Sequence, residues 1–324
     1  MASWDEGLWA SSIESGLPRR DRRSGIYRRY VPDPLIGSPL LLPPDLDELV
    51  ALAEQAVRSL SGDARDLAGI ARFLLRSEAI ASSRIEGIAP AVQQVALAEL
   101  GVRETVPDVS AQARLVANNM TVLHEARTVL VAAPVVTADH VIDLHAALLP
   151  DEPHHHGIRT VQNWIGGSDH HPLDADFVPP APERVPALLD DLIAYLNGGG
   201  HSPIVQAALV HAQFETIHPF TDGNGRVGRA LIHTVLTRRG LTTEAVLPVS
   251  LVLSTLRNDY VGGLTAYRHS APIGSGGFHD ARATWLRVFA SAVVTASDQA
   301  GRLAVELAAL RSEWEDRLAF ARSS

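Results

Sequence analysis

The stretch "IHPFTDGNGRVGRALIH" spans residues 217–233. Between His218 and Arg229 it gathers one His, one Asp, three Gly, an Asn and two Arg. Its centre, Gly223 to Gly228, fits G-x-G-x-x-G, and Glu244 lies roughly where a dinucleotide-binding fold puts its ribose-binding acid. That reading needs a buried parallel strand before the glycines. The preceding segment, "PIVQAALVHAQFETI" (203–217), instead reads as an apolar helix, and "VGRALIHTVLTRRG" (227–240) leaves the motif as another that stops at Gly240. The motif is therefore a corner between helices. A purely structural glycine turn does not explain why His218, Asp222, Arg226 and Arg229 crowd it, since gathering such groups in one place is costly without a ligand.

The same helical period continues outward in both directions. "DLDELVALAEQAVRSL" (45–60) reads as a helix with Asp45 and Glu48 as a capping box. "DLAGIARFLLRSEAIASSRIEG" (66–87) reads as a second, stopped by Gly87. Further helices are expected over 108–133, from an N-cap at Thr137, over 183–198, and from the motif to about residue 320. Residues 1–43, rich in Pro, Gly and Arg, read as an extended arm packing on the body. Residues 151–180 break the helical pattern, with short β-favouring pieces around Gly166-Gly167, and read as a small hairpin or flap. The expected class is mostly α, without a βα rhythm. Three regions are expected: an arm and helical region over 1–110, a core domain over 111–270, and C-terminal helices over 271–324.

Two absences restrict the chemistry. There is no Cys, which removes disulfides, thiolate nucleophiles and cysteine metal sites. There is also no Lys, because all 28 basic residues are Arg, so lysine Schiff bases and the P-loop lysine are excluded. The net charge of −9 argues against broad nucleic-acid binding. No apolar run is long enough to cross a membrane, and the acidic N-terminus does not resemble a signal peptide, so the cytoplasm is expected.

What remains is an anion site. A glycine-rich turn entering a helix offers backbone N–H groups and the positive end of the helix dipole. Arg226 and Arg229, three apart, share a helix face and can both reach one polyphosphate. Asp222 is suited to holding a divalent cation against phosphate oxygens. His218, four residues earlier, is placed to take a proton from a hydroxyl. Nest, arginines, acid and base together read as phosphoryl or nucleotidyl transfer.

His218-Pro219-Phe220-Thr221-Asp222-Gly223-Asn224-Gly225-Arg226-Val227-Gly228-Arg229 resembles the Fic-domain signature HPFx(D/E)GNGRxxR at every fixed position. "RTVQNWIGGSD" resembles the flap of that family. "SEAIASSRIEGI", with Ser82, Glu86 and Gly87, resembles the inhibitory helix, (S/T)xxxE(G/N), of members with an N-terminal inhibitor. The resemblance covers roughly residues 25–300. It implies a Fic fold, a helical core with a small β-hairpin flap preceded by the inhibitory helix (about 66–87). The activity it implies is transfer of AMP from ATP to a Ser, Thr or Tyr hydroxyl of a protein.

By position, the resemblance makes His218 the general base and Asp222 the ligand of Mg2+ or Mn2+. Gly223, Asn224, Gly225, Arg226, Val227, Gly228 and Arg229 would hold ATP phosphates, and Tyr260 would stand by the adenine. Asn163, Trp164, Ile165 and Gly166 would clamp the target's main chain by strand addition. Relatives with other chemistry alter the first or second glycine of the loop, and both stand here. Glu86, at a helix C-terminus where a carboxylate is disfavoured, would pair with Arg229 in place of the γ-phosphate and hold the enzyme off. A reverse, AMP-removing activity is compatible with the resemblance. So are self-modification, a homodimer, and a regulatory module that binds nucleotide with little turnover.

Other histidines receive a structural reading. His154, His155 and His156 beside Asp151 and Glu152 read as a solvated loop rather than a metal site, and His170-His171 as polar surface. His211 and His233 read as packed or hydrogen-bonded residues of the flanking helices.

Overall fold

A computed structural model describes residues 1–12, 15–62, 64–101, 109–242 and 245–323. Glu244 and Asp108 lie outside them. The molecule is organised around the helix that precedes the motif, α7 (Pro203–Ile217), in which every residue is buried. Its start follows from sequence: Ser202 accepts the Val205 N–H and Pro203 fills the first turn, where its missing N–H costs nothing. A helix apolar all round has to be enclosed, and the others enclose it. α8 (Asn224–Arg238) packs on α7, and α4 (Ala111–Ala132) packs on α8. α5 (Ala138–Leu148) covers α4, and α6 (Val185–Gly198) covers α7. On the far side, α1 (Pro44–Gly62), α9 (Val249–Thr255) and α10 (Arg257–Tyr267) pack on the long α11 (Gly276–Ser323). α3 (Val92–Gly101) lies against α4.

The helix that carries Glu86 at its end, α2 (Ala64–Ile85), is seated on α4 and α9. Its attachment is polar and dry. Glu78 is wholly buried; its Oε1 meets His233 Nε2 of α8 at 3.1 Å and accepts the Ser250 hydroxyl, and its Oε2 accepts the Ser250 N–H at 2.8 Å. Asn119 of α4 donates to Ala79 O and Ser83 Oγ on the same helix. Gly87, at φ +79°, ends it with a left-handed turn that a residue with a Cβ would strain.

Several sequence expectations need correction. The N-terminal arm is an antiparallel hairpin, with β1 (Ser3–Trp9) paired to β2 (Gly25–Val31) in register from Ser3–Val31 to Trp9–Gly25. Tyr27 and Tyr30 of "GIYRRYV" are both buried although, three apart, they lie on opposite faces of the strand, so no clean alternation marks it, and the partner lies far enough upstream to hide the pairing. The flap is reduced to two isolated bridges, Ile165–Phe177 and Ser168–His171. Asp45 stands in the first turn of α1 behind Pro44 rather than capping it, and α8 begins at Asn224, so Gly225 and Arg226 are helical. His171 is buried, its Nε2 on Arg20 O, where it ties the hairpin's loop to the flap. Thr137 does cap α5, with His140 closing the box.

Truncating Glu78 leaves the Ser250 N–H and His233 without their buried partner. Glu78→Ala should therefore cost about 3 kcal/mol or more, read as a lowered denaturant midpoint; a loss under 1 kcal/mol would show that the network does not anchor α2.

Candidate active site

The corner between α7 and α8 is built by its own backbone. His218 caps α7 at φ 51°, ψ 62°, the one non-glycine left-handed residue among those described, and its N–H closes on Phe214 O. Gly223, at φ 75°, caps α8. Between them Asn224 folds back: its Oδ1 accepts the Phe220 N–H and its Nδ2 donates to Phe220 O, each at 2.8 Å. The Asn224 side chain thus braces the loop. Phe220 is wholly buried against Phe214, and His145 of α5 stacks on it at 3.8 Å. His145 Nε2 reaches Asp222 O at 3.0 Å. Burial holds the His145 imidazole down to about 4, so it is neutral and its Nε2–H donates to that carbonyl.

Arg159, which sequence reasoning did not single out, fastens the other side. Its Nε donates to His218 O at 2.8 Å and its Nη2 to Pro180 O, while its own N–H bonds Pro219 O. Burial lowers its pKa to about 10, which leaves it charged at neutral pH. Two further groups, the buried Glu215 and the half-buried Arg268, were also missed. They lie one helical turn before His218 and at the end of α10, and no local motif marks them.

His218 is the candidate base by environment as well as position. Burial first, then the charges of Arg268 and Arg159, push its imidazole down to about 4. It is therefore neutral at pH 7, and its Nδ1 has no protein partner among the described residues. Asp222 beside it is half exposed, with Oδ2 at 3.3 Å from Arg226 Nη2. Arg226 is buried, and its Nε and Nη1 have no protein acceptor. Such donors are suited to an anion.

Arg229 is 1% exposed and fully engaged. Nε donates to Ser82 Oγ and Nη2 to Ser82 O, both at 2.9 Å, and Nη2 also bonds Glu86 Oε1 at 2.6 Å. Burial alone would lower its pKa, but Glu86, Tyr260 and Glu215 outweigh it and hold the guanidinium above its ordinary value. The Glu86 carboxylate lies over Gly225 so closely that a Cβ there would stand 1.9 Å from Oε1. The N-terminus of α8 is thus covered by a carboxylate from α2. A groove of about 730 Å3 lies elsewhere, between α1 and α11, and no motif residue lines it.

The remaining expected site residues divide. Val227 is wholly in the core, and Gly228 faces Glu215, Phe214 and His211, so neither points toward a phosphate. Tyr260 is 3% exposed, its OH 2.9 Å from His211 Nε2 and 3.5 Å from Arg229 Nη1. It stands behind Arg229 as a support and presents no face to an adenine. In the flap, Asn163 Nδ2 donates to Phe220 O, Trp164 packs edge-on against Trp9 of β1, and Ile165 bridges Phe177. Gly166, at φ 73°, lies where a Cβ would strike Asp176. The flap is therefore fastened directly to the motif.

Fold and site together define a mostly helical protein with a carboxylate over one helix N-terminus, a neutral half-buried histidine and a flap tied to the motif. Residues 135–236, about a third of the chain, match the profile of the Fic/DOC family. Protein adenylyltransferase fic-1 of Caenorhabditis briggsae is 34% identical over 119 residues, 35% of this chain and 22% of that protein. A probable protein adenylyltransferase of Aquifex aeolicus is 37% identical over 91 residues, 28% of each chain. The chain thus spans about a quarter of the length of these relatives. The crystal structure of a Fic family protein from Desulfovibrio desulfuricans superposes with a TM-score of 0.65 at 24% identity, over 82% of this chain and 77% of that one. A Fic-domain signalling protein from Bacteroides thetaiotaomicron gives 0.63 at 19%, over 80% and 97%. The likeness in shape extends beyond the residues of the matched domain.

Glu215 provides a test of the site's electrostatics. Burial raises its pKa to about 7, so the folded chain retains its proton while the unfolded chain loses it near 4.5. Its contribution is present in full below about pH 4.5 and is lost as pH rises through 7, by about 3 kcal/mol at most. Relative to Glu215→Gln, the native chain should lose unfolding free energy across that window. A difference that does not change with pH would refute the assignment.

Proposed function

We propose that the chain is a protein adenylyltransferase, transferring AMP from ATP to a Ser, Thr or Tyr hydroxyl of a protein, its own included, with release of pyrophosphate. The observation that carries this reading is the Glu86 carboxylate, seated at the same time on Arg229 and on Gly225 at the start of α8. A self-supplied anion marks the position as built for anions. The names of the relatives, protein adenylyltransferases, support the kind of anion.

His218 accepts the proton of the attacking hydroxyl, whose oxygen bonds to the α-phosphorus as the bond to pyrophosphate breaks. Its low pKa keeps it in the base form. Arg226, with two unmatched donors, and the Gly225 turn hold phosphate oxygens. The residues fit a divalent cation such as Mg2+, since Asp222 offers one half-exposed hard oxygen and such ions fill the rest of their shell with phosphate and water. When bound, the ion would neutralise phosphate charge. The flap, fastened through Asn163 and Trp9, supplies a main chain beside which a target segment can lie.

Glu86 is then a brake. Ser82 keeps Arg229 partnered when the carboxylate leaves, so the arginine becomes available without being stranded. Glu86→Gly should raise incorporation from α-labelled ATP at least tenfold, and adding His218→Ala to that variant should reduce it by about 10² or more. Transfer of γ-label instead would mean phosphoryl transfer. Absence of transfer from every form, with nucleotide still bound, would mean a binding module.

The pH profile gives a second check. For Glu86→Gly, kcat/KM should stay flat from about pH 7 to 5, where an ordinary imidazole would lose most of its base form. A fall with a midpoint near 6.5 would exclude a buried, neutral His218 as the base.

A further inference from the structure

Beside the motif, the turn Asp151–His156 gathers a second set of donor groups that the proposed transfer does not use. The short 3-10 turn Pro153–His155, closed by the His155 N–H on Glu152 O and the His156 N–H on Pro153 O, brings Glu152, His154 and His155 to one side. Their ligand atoms all lie within 4.8 Å of one another, and His155 Nε2 stands 3.6 Å from Glu152 Oε2. The rings of His154 and His155 are 4.1 Å apart. His156 is turned away, with Nε2 on Leu149 O at 2.7 Å, and anchors the turn to the end of α5.

We propose that Glu152, His154 and His155 form a Zn2+ site on the rim of the active-site loop. Two imidazoles and a carboxylate, with a fourth position left to water, make a donor set for zinc and not for Mg2+ or Ca2+, which take oxygen. Bonds of about 2.0–2.1 Å in a tetrahedron put ligand atoms about 3.4 Å apart. The His155–Glu152 pair is already near that separation, and the exposed His154 closes the set by side-chain rotation.

The second observation is the far side of His155. Its Nδ1 lies 2.8 Å from Thr221 Oγ1, the variable residue of the motif, immediately before Asp222. With Nδ1–H donating to that hydroxyl, the lone pair of Nε2 faces Glu152. A metal-bound histidine typically donates its other N–H in just this way, which fixes both tautomer and ring. Zinc held here would brace Thr221, and through it the loop carrying the carboxylate of Asp222.

The test is equilibrium binding of Zn2+ alone to the full chain, by calorimetry and by the visible spectrum of the Co2+ form, with no activity measured. One equivalent should bind per chain. Glu152→Gln, His154→Ala and His155→Ala should each weaken it at least tenfold, and Thr221→Val by about tenfold, the range seen when a supporting hydrogen bond is removed. His124→Ala, on the exposed face of α4, should leave it unchanged. No saturable binding by the native chain, less than a tenfold loss in any of the three ligand variants, or an equal loss in His124→Ala would overturn the site. The variants alter exposed or half-exposed groups, and their folding is checked by an unchanged melting temperature without metal.

Discussion

A guanidinium with almost no exposed surface has to be neutralised and hydrogen-bonded wherever it sits, and Arg229 draws the molecule together to meet that requirement. It stands on α8, receives Ser82 and Glu86 from α2, and is backed by Tyr260 from α10. Three segments distant in sequence are therefore fixed relative to one another at one charge. Glu78 repeats the device farther along α2, where His233 and Ser250 hold the same helix to α8 and α9. The helix that covers the anion site is thus anchored along its length by polar contacts that water does not reach. Its last carboxylate is the exception, because Glu86 is partly open to solvent.

The corner itself follows a different logic. Packing fixes α7, but the turn after it depends on backbone geometry that a side-chain pattern does not encode. His218 occupies left-handed space without being glycine, which adds local strain. Arg159 and Asn224 hold the turn from outside by bonding its carbonyls and amides. Since the chain has no lysine, every cation near the site is an arginine. Arg159 and Arg268, though pushed down to about 10 by burial, still keep their charge at neutral pH. The depressed pKa of His218 therefore rests on charges that do not titrate away.

The helices were legible because period and caps are local: Thr137, Ser202 and Gly240 mark their ends in the sequence itself. The pairing of Ser82 and Glu86 with Arg229 was legible through motifs, and the 143-residue separation of Glu86 from Arg229 is spanned by a direct bond. What the sequence left unread shared one cause. Asn224, Val227, Gly228 and Tyr260 belong to the motif or its neighbourhood, but their roles depend on which way a helix faces, and that is set by distant packing. Asn224 braces, Val227 and Gly228 face the core, and Tyr260 supports the arginine. The N-terminal hairpin was missed because strand pairing is non-local, and Arg159, Glu215 and Arg268 because a buried charge cannot be told from a surface one without its surroundings.

Gly225 has the consequence with the widest reach. Its absent side chain leaves a space that Glu86 fills to within less than a van der Waals contact of where a Cβ would be. On the proposed reading, the carboxylate and an incoming phosphate cannot share that space, so their occupancies are mutually exclusive. Nucleotide affinity is then multiplied by the fraction of molecules in which the glutamate has withdrawn, and any agent that favours withdrawal tightens nucleotide binding by the same factor. The missing methyl group thus couples ligand concentration to the position of a helix tip. The chain would respond to nucleotide along an ordinary saturation curve, with its midpoint written in the free energy of a single ion pair.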